Sequence, residues 1–231
     1  MNQQDPNVLG VEMVAQALGD LMQDLVLIGG CTVGLLITDK AAAPVRQTID
    51  VDLIAEVGST VEYYALCERM KAQGFSEAPD ADHMCRYVRG ALKVDLMPSS
   101  SEILGHSTNE WYPAAVRSAT KVVLPSSTEI LVVAPPLFLA TKLAAFYGRG
   151  QGDYFHHDME DIINVIDGRP ELVEEVRAAS FDVREYLQTE FDDLLADHRF
   201  VDTLPGYLRS DAASQARFPA ILERIRRLAG L

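Results

Sequence analysis

Cysteine, positive charge and long apolar runs are all scarce in this sequence. Its three cysteines, Cys31, Cys67 and Cys85, form no CxxC pair, which argues against a disulfide framework and against a zinc site. No uncharged apolar run reaches about 18 residues, so the pattern predicts no membrane-spanning helix. Residues 1–7 are polar and lack the basic and then apolar pattern of a signal peptide, so we expect a cytoplasmic protein.

Negative charge dominates the composition. The 34 acidic residues against 20 lysines and arginines give a formal net charge of −14 at pH 7, and such a chain does not bind nucleic acid through bulk attraction. Basic residues still concentrate in the central segment, which leaves a local basic groove open. They are Arg86, Arg89, Lys93, Lys121, Lys142 and Arg149. A length of 231 residues with 48% hydrophobic residues allows one large domain or two small ones.

Strand and helix patterns share the first part of the chain, and helical patterns alone follow Pro135. The predicted strands are Asp24–Ile28, Ile49–Glu56, Met84–Arg89, Ala91–Met97, Thr120–Leu124 and Glu129–Val133. The predicted helices are Val8–Met22, Val33–Thr38, Ser59–Gly74, Leu137–Tyr147, Asp158–Asp167, Glu171–Ala179, Asp182–Leu195 and Ser210–Leu228. This order predicts an α+β domain in residues 1–134, with a mixed sheet and flanking helices, and a mainly α-helical domain in residues 135–231.

Two carboxylates flank Val51 inside a strand-like segment. Side chains two residues apart on a strand point to the same face, roughly 7 Å apart, so Asp50 and Asp52 repel each other unless a cation lies between them. Asp95 lies in a second strand-like segment. If the two strands are adjacent, the three carboxylates can hold two Mg²⁺ ions. A surface turn for the Asp-x-Asp pair and a structural role for Asp95 stay open as alternatives.

A double glycine, Gly29-Gly30, separates a predicted strand from a predicted helix. Glycines let backbone N–H groups approach an anion, and a helix N-terminus favours negative groups. The hydroxyl of Thr32 would add a further contact. The alternative is a tight turn that binds no ligand. The combination with Asp50 and Asp52 on the next strand favours a phosphate site.

Cations and carboxylates recur in the helical part. Lys142 and Arg149 are seven residues apart and so lie on one helix face, where they would neutralise phosphates or simply be solvated. Asp158 and Asp161 are three apart near a helix start, where acidic residues also favour the helix dipole. The tripeptide 156–158, His-His-Asp, is interpreted as a polar loop and not as a metal site, because adjacent histidines usually diverge.

Five motifs carry a resemblance to a known family. They are Gly29-Gly30 with Thr32, Arg46-x-Thr48-x-Asp50-x-Asp52, Val94-Asp95-Leu96, Lys142-Leu143-x-Ala145 with Arg149, and Asp158-x-x-Asp161-Ile162. Over residues 25–167 the chain resembles the nucleotidyltransferase superfamily with the DNA polymerase β-like fold. Within that superfamily it is most similar to the AbiEii/AbiGii-type toxin nucleotidyltransferases.

The resemblance implies a role for each matching residue. Asp50, Asp52 and Asp95 would bind Mg²⁺, two ions in all, with Asp95 as third ligand or as base. The nucleotide-binding residues would be Gly29, Gly30, Thr32, Arg46, Thr48 and Arg149. The remaining catalytic residues would be Lys142, Asp158 and Asp161, of which either aspartate would position Lys142 or the substrate. Many superfamily members have Gly-Ser where this chain has Gly30-Cys31.

The activity implied is Mg²⁺-dependent transfer of NMP from an NTP to an acceptor hydroxyl. The acceptor would be a tRNA 3′ end, a protein or a small molecule, and the resemblance favours a toxin with an antitoxin protein as partner. The alternative is a non-catalytic module of the same fold that binds a nucleotide or a protein.

Overall fold

The computed structural model describes residues 5–79, 84–104 and 108–231. Their contacts define two compact units. The sheet unit contains the described residues up to Leu35 together with Arg46–Ala134, and the helical unit contains Leu36–Val45 together with Pro135–Leu231. Across the described ranges, every helix is too short or too polar to cross a membrane.

Among the described residues, the sheet unit is built on seven strands. They are β1 Leu25–Ile28, β2 Val51–Ala55, β3 Ser76–Glu77, β4 Arg86–Arg89, β5 Leu92–Pro98, β6 Thr120–Val123 and β7 Glu129–Val132. Their order in the sheet is β3-β4-β5-β2-β1-β7-β6. The pairs β1–β7 and β2–β5 are parallel and the others are antiparallel, so the sheet is mixed. The predicted α+β fold with a mixed sheet and a helical C-terminal region is confirmed.

Helices flank the strands in sequence. They are α1 Pro6–Leu18, α2 Val33–Leu36, α3 Thr60–Ala72 and α4 Tyr112–Arg117. The predicted helix Val8–Met22 was too long at its C-terminal end, because Gly19 adopts φ +57° and a 3₁₀ turn follows over Gly19–Asp24. Ser59 caps α3 as predicted, since its side chain accepts a hydrogen bond from the Glu62 amide.

The helical unit contains seven helices. They are α5 Pro135–Arg149, α6 His157–Gly168, α7 Leu172–Ala178, α8 Phe181–Ala196, α9 His198–Thr203, α10 Ala212–Gln215 and α11 Phe218–Leu228. Both α5 and α11 contact α6, α7 and α8, so these helices share one core. The prediction of a single helix over Ser210–Leu228 was wrong. Pro219 lies in the first turn of α11, where its missing N–H and fixed φ favour a helix start over a helix interior.

Candidate active site

Three neighbouring strands carry charged side chains in one row. Asp52 on β2 is the register partner of Asp95 on β5, and Asp95 is the register partner of Arg86 on β4. Register partners project to the same face, and adjacent strands are about 4.8 Å apart. Asp50 precedes Asp52 by two residues and shares that face. The structure therefore brings Asp50, Asp52 and Asp95 together, and we call these three residues the carboxylate cluster.

A guanidinium lies inside the carboxylate cluster. Arg86 donates from Nε to Asp95 Oδ1 at 2.7 Å and from Nη2 to Asp95 Oδ2 at 2.6 Å. The same Nη2 donates to Asp50 Oδ2 at 2.7 Å. The hydrogen bonding to Asp95, followed by the negative charges of Asp95, Asp50 and Asp52, raises the pKa of Arg86 above its usual value against the opposing effect of burial. Sequence reasoning missed this role of Arg86.

The turn after β1 presses against the carboxylate cluster. Gly29 has φ +75°, a conformation that favours glycine, and a Cβ at this position would overlap the Asp52 carboxylate. Thr32 is fully buried, and its Oγ1 donates to the Gly29 carbonyl at 2.7 Å. In this structure the Thr32 hydroxyl therefore closes the turn that Gly30 begins. A contact between these three residues and a nucleotide stays a prediction.

The segment leading into β2 is anchored by a residue that sequence reasoning did not single out. Asn7 on α1 is 3% exposed; its Nδ2 donates to the Arg46 carbonyl, and its Oδ1 accepts from the Thr48 amide, both at 2.8 Å. The sequence signal for this residue was the helix start at Asp5-Pro6, which places Asn7 in the first turn of α1. This anchor fixes the chain immediately before Asp50.

A cavity opens beside this segment in the sheet unit. Its volume is about 330 Å³, and its lining includes Asn7, Thr48, Asp50 and Lys93. The side chain of Asp50 is 27% exposed and that of Asp95 is 8% exposed. The carboxylate cluster is therefore reachable at its Asp50 end and covered at its Asp95 end.

The donor set of the carboxylate cluster fits a divalent cation of the Mg²⁺ type. Carboxylate oxygens are hard ligands, which Mg²⁺ prefers. The three acids share one face, and the position of Arg86 shows that the cluster already holds positive charge there. Magnesium binding is an expectation from this chemistry.

The helical unit contains a second charged cluster, formed by Lys142, Arg149, Asp158 and Asp161. The Lys142 ammonium contacts Asp158 Oδ1 at 2.9 Å and Asp161 Oδ2 at 2.6 Å. Arg149 donates to both oxygens of Asp158, at 2.7 and 2.8 Å. Lys142 is 6% exposed and Asp158 is fully buried. We call these four residues the helical cluster; its lysine is a buried cation and not a solvated one.

Burial and ion pairing oppose each other in the helical cluster. Burial alone would raise the pKa of Asp158, but hydrogen bonds from Arg149 and the charge of Lys142 hold that pKa well below its usual range. Burial alone would lower the pKa of Lys142, but the charges of Asp161 and Asp158 raise it above its usual value. Lys142 and Asp158 therefore both stay charged at neutral pH.

Two histidines lie at the start of α6, and the expectation that they diverge was wrong. The ring centroids of His156 and His157 are 4.0 Å apart. Together with Asp158 they offer ligand atoms within 4.8 Å of one another. Asp158 already accepts from Lys142 and Arg149, and His156 Nδ1 accepts from the Asp158 amide. This tripeptide caps a helix, and a divalent cation there would lie beside two fixed cations.

Known structures resemble this chain in fold. An antigenic nucleotidyltransferase-like protein from Paracoccidioides brasiliensis matches it with a TM-score of 0.51 and 19% identity, over 91% of this chain and 97% of that chain. The chain has the nucleotidyltransferase-like fold. The antibiotic-resistance factor ANT(2'')-Ia matches with a TM-score of 0.49 and 13% identity, over 83% of this chain and 96% of that chain.

A third structure, JHP933 from Helicobacter pylori, matches with a TM-score of 0.48 and 13% identity, over 96% of this chain and 92% of that chain. No protein-family model matches the sequence, and no curated protein matches it either. At these identities the likeness concerns the fold alone.

Proposed function

We propose that this protein is a Mg²⁺-dependent nucleotidyltransferase that transfers NMP from an NTP to an acceptor hydroxyl. One observation carries the proposal: Asp50, Asp52 and Asp95 share one face of the sheet beside the Gly29 turn. The nucleotidyltransferase-like fold supports it. In the reaction a bond forms between the acceptor oxygen and the α-phosphorus, the bond to pyrophosphate breaks, and the hydroxyl proton leaves to a base or to water.

The residues of the carboxylate cluster divide this task. Asp50 and Asp52 would hold a divalent cation, and Asp95 would be the third ligand or the base for the acceptor hydroxyl. A bound cation would neutralise charge on the phosphates and lower the pKa of the attacking hydroxyl. Gly29 leaves the space that the Asp52 carboxylate occupies. Gly30, Thr32, Arg46 and Thr48 are the proposed nucleotide contacts.

The helical cluster contributes Arg149 to this proposal. The Arg149 side chain is 58% exposed, whereas that of Lys142 is 7% exposed. Arg149 is therefore the member that we propose contacts a phosphate. Lys142 and Asp161 are positioning residues, because Lys142 holds the Asp158 carboxylate that orients Arg149 and Asp161 holds Lys142.

The acceptor and the biological role are finer parts of the proposal. The motifs that resemble AbiEii-type proteins favour a toxin neutralised by an antitoxin protein, with a tRNA or a protein as acceptor. The net charge of −14 disfavours bulk attraction to RNA. The second candidate is a non-catalytic nucleotide- or protein-binding module, which the ion pairs of Arg86 with Asp50 and Asp95 favour, because they satisfy two of the three acids without a metal.

A labelling experiment tests the proposal. The protein is incubated with each α-³²P-NTP, Mg²⁺ and cell lysate, and labelled products are divided by their sensitivity to ribonuclease or protease. We expect transfer by the wild type and none by Asp50→Asn/Asp52→Asn. The matched control is Asp192→Asn/Asp193→Asn, which removes two exposed carboxylates of α8. No transfer by the wild type to RNA, protein or small molecules would contradict the enzymatic proposal.

Two further readouts separate the candidates. Growth arrest of a host on expression, relieved by Asp50→Asn/Asp52→Asn, would support the toxin role. Metal-dependent NTP binding without turnover over long incubation would support the non-catalytic module.

A further inference from the structure

One cation in the sheet unit has no part in the reaction as described above. Arg86 makes three hydrogen bonds, two to Asp95 and one to Asp50, and its side chain is 23% exposed. Both carboxylate oxygens of Asp95 and one of Asp50 therefore accept from a single guanidinium. These are oxygens through which the carboxylate cluster would bind a divalent cation.

The guanidinium and a divalent cation compete by charge as well as by position. Three carboxylates and one guanidinium leave a formal charge of −2 in the cluster when all are ionised. A cation that binds to Asp95 or to the bonded oxygen of Asp50 has to lie beside the guanidinium, and two positive groups at that distance repel each other in a partly buried site. A metal ion and Arg86 therefore rarely bind these oxygens at the same time.

We propose that Arg86 is a resident counter-ion that gates divalent-cation binding to Asp95 and Asp50. This inference rests on the proposed function, because it concerns the same carboxylates. In the nucleotide-free protein Arg86 holds Asp50 and Asp95 together and keeps the metal affinity low. The metal-competent state is the one in which the guanidinium has left Asp95.

The chemistry of arginine identifies what draws it away. A guanidinium pairs with phosphate in the same bidentate way as with carboxylate. The triphosphate of an arriving nucleotide therefore offers Arg86 an alternative partner. Release of Arg86 makes nucleotide and metal binding cooperative, and this coupling is reciprocal.

The test measures metal binding directly, with Mn²⁺ as the probe and no nucleotide present. Free Mn²⁺ is followed by electron paramagnetic resonance during titration of wild type and Arg86→Gln. If the guanidinium is away from Asp95 in about one molecule in ten, the wild type binds Mn²⁺ about tenfold more weakly than the metal-competent state alone would bind it. We therefore expect Arg86→Gln to bind Mn²⁺ at least about tenfold more tightly.

Two controls separate competition from a general change of charge. Arg89→Gln removes an arginine from the same strand, whose Nη1 donates to the Ala17 carbonyl and does not touch the acids. Lys121→Gln removes an exposed charge from β6, the edge strand at the other end of the sheet, where the ammonium pairs with Glu129. Both should bind Mn²⁺ within about threefold of the wild type, because exposed charges that lie away from the three acids are screened by salt.

A third variant keeps the inference testable if Arg86→Gln does not fold. Arg86→Lys keeps the charge but lacks the planar fork, so it should lie between wild type and Arg86→Gln in Mn²⁺ affinity. A non-hydrolysable NTP should tighten Mn²⁺ binding more in wild type than in Arg86→Gln or Arg86→Lys.

The outcomes are distinct. Equal or weaker Mn²⁺ binding by Arg86→Gln, or by Arg86→Lys in its place, would overturn the inference, since Arg86 would then organise the ligands without competing. No Mn²⁺ binding by any variant would overturn it as well. Tighter binding by Arg86→Gln together with no label transfer by the wild type would support the gate and contradict the proposed enzymatic activity.

Discussion

The two charged clusters differ in how completely their charges are matched. The helical cluster pairs two cations with two buried carboxylates and is formally neutral. The carboxylate cluster sets one guanidinium against three carboxylates and keeps an excess of negative charge. A buried neutral cluster has no electrostatic need for a ligand, whereas an acidic cluster beside a cavity does. We therefore expect the buried members of the helical cluster to contribute stability, and we propose cation binding for the carboxylate cluster.

The largest expected effect is a loss of folding stability when the helical cluster is broken. Asp158→Ala leaves Lys142 buried with one carboxylate and removes the two Asp158 oxygens that accept hydrogen bonds from Arg149. Removing one partner of a buried pair costs about 3–5 kcal/mol, because the other charge stays buried. The measurement is urea unfolding followed by circular dichroism. Asp192→Asn, an exposed acid of α8, should change the free energy of unfolding by no more than about 0.5 kcal/mol. Equal effects of the two changes would contradict the comparison.

Acid should remove part of the same stabilisation. The pKa of Asp158 is lowered in the folded state from an ordinary value of 3.8, so its contribution is complete above that value and is lost as pH falls below it. Asp39 and Asp197 also have lowered pKa values and titrate in the same window. The informative quantity is thus the difference between wild type and Asp158→Asn. That difference in unfolding free energy should shrink between about pH 5 and pH 2; a difference independent of pH would contradict the ion-pair account.

In the carboxylate cluster the expected effect is on activity and not on stability. Asp52→Asn removes a repelling charge, so the unfolding midpoint should stay the same or rise. Label transfer should fall by roughly a hundredfold or more, since Asp52, in its proposed role as a metal ligand, would contribute several kcal/mol of transition-state stabilisation. A large loss of stability with unchanged label transfer would mean that Asp52 stabilises the fold, as we expect of Asp158, and has no part in transfer.

The smallest of these effects concerns the turn beside Asp52. Gly29→Ala forces a methyl group against the Asp52 carboxylate at φ +75°, whereas Gly19→Ala at φ +57° meets nothing within 4 Å. Each change places an alanine at positive φ, which costs about 1 kcal/mol. Gly29→Ala also forces the methyl group against Asp52, so its total destabilisation should be about 1–3 kcal/mol. Thermal melting of the two variants measures the difference. Equal shifts would mean that Asp52 moves aside at no cost.

The sequence carried enough information to predict the carboxylate cluster. The Asp50-x-Asp52 spacing and apolar flanks predicted one face of a buried strand, and Asp95 lies opposite Asp52 in the parallel register. Arg86 was also within reach. The predicted hairpin turns at Gly90, and the observed pairing of Arg89 with Leu92, followed back along the strands, brings Arg86 opposite Asp95.

Other features depend on tertiary packing that a single sequence does not encode locally. The burial of Lys142 was not predicted, because a lysine on an amphipathic helix is usually solvated. Its two carboxylate partners, Asp158 and Asp161, belong to α6, and the packing of α6 against α5 is not encoded in the sequence around Lys142. The clash between a Gly29 side chain and Asp52 requires the β1–β2 register. The break before α11 was signalled by Pro219 and was overlooked.

The central claim is that the carboxylate cluster supports transfer of a nucleotidyl group, and the position of the label tests it most directly. The wild type is incubated with Mg²⁺, heat-inactivated lysate and either α-³²P-NTP or γ-³²P-NTP. The account predicts that the α label appears on the acceptor, that the γ label leaves in pyrophosphate, and that Asp50→Asn/Asp52→Asn does neither. Transfer of the γ label to an acceptor, or α-label transfer that survives in Asp50→Asn/Asp52→Asn, would contradict it.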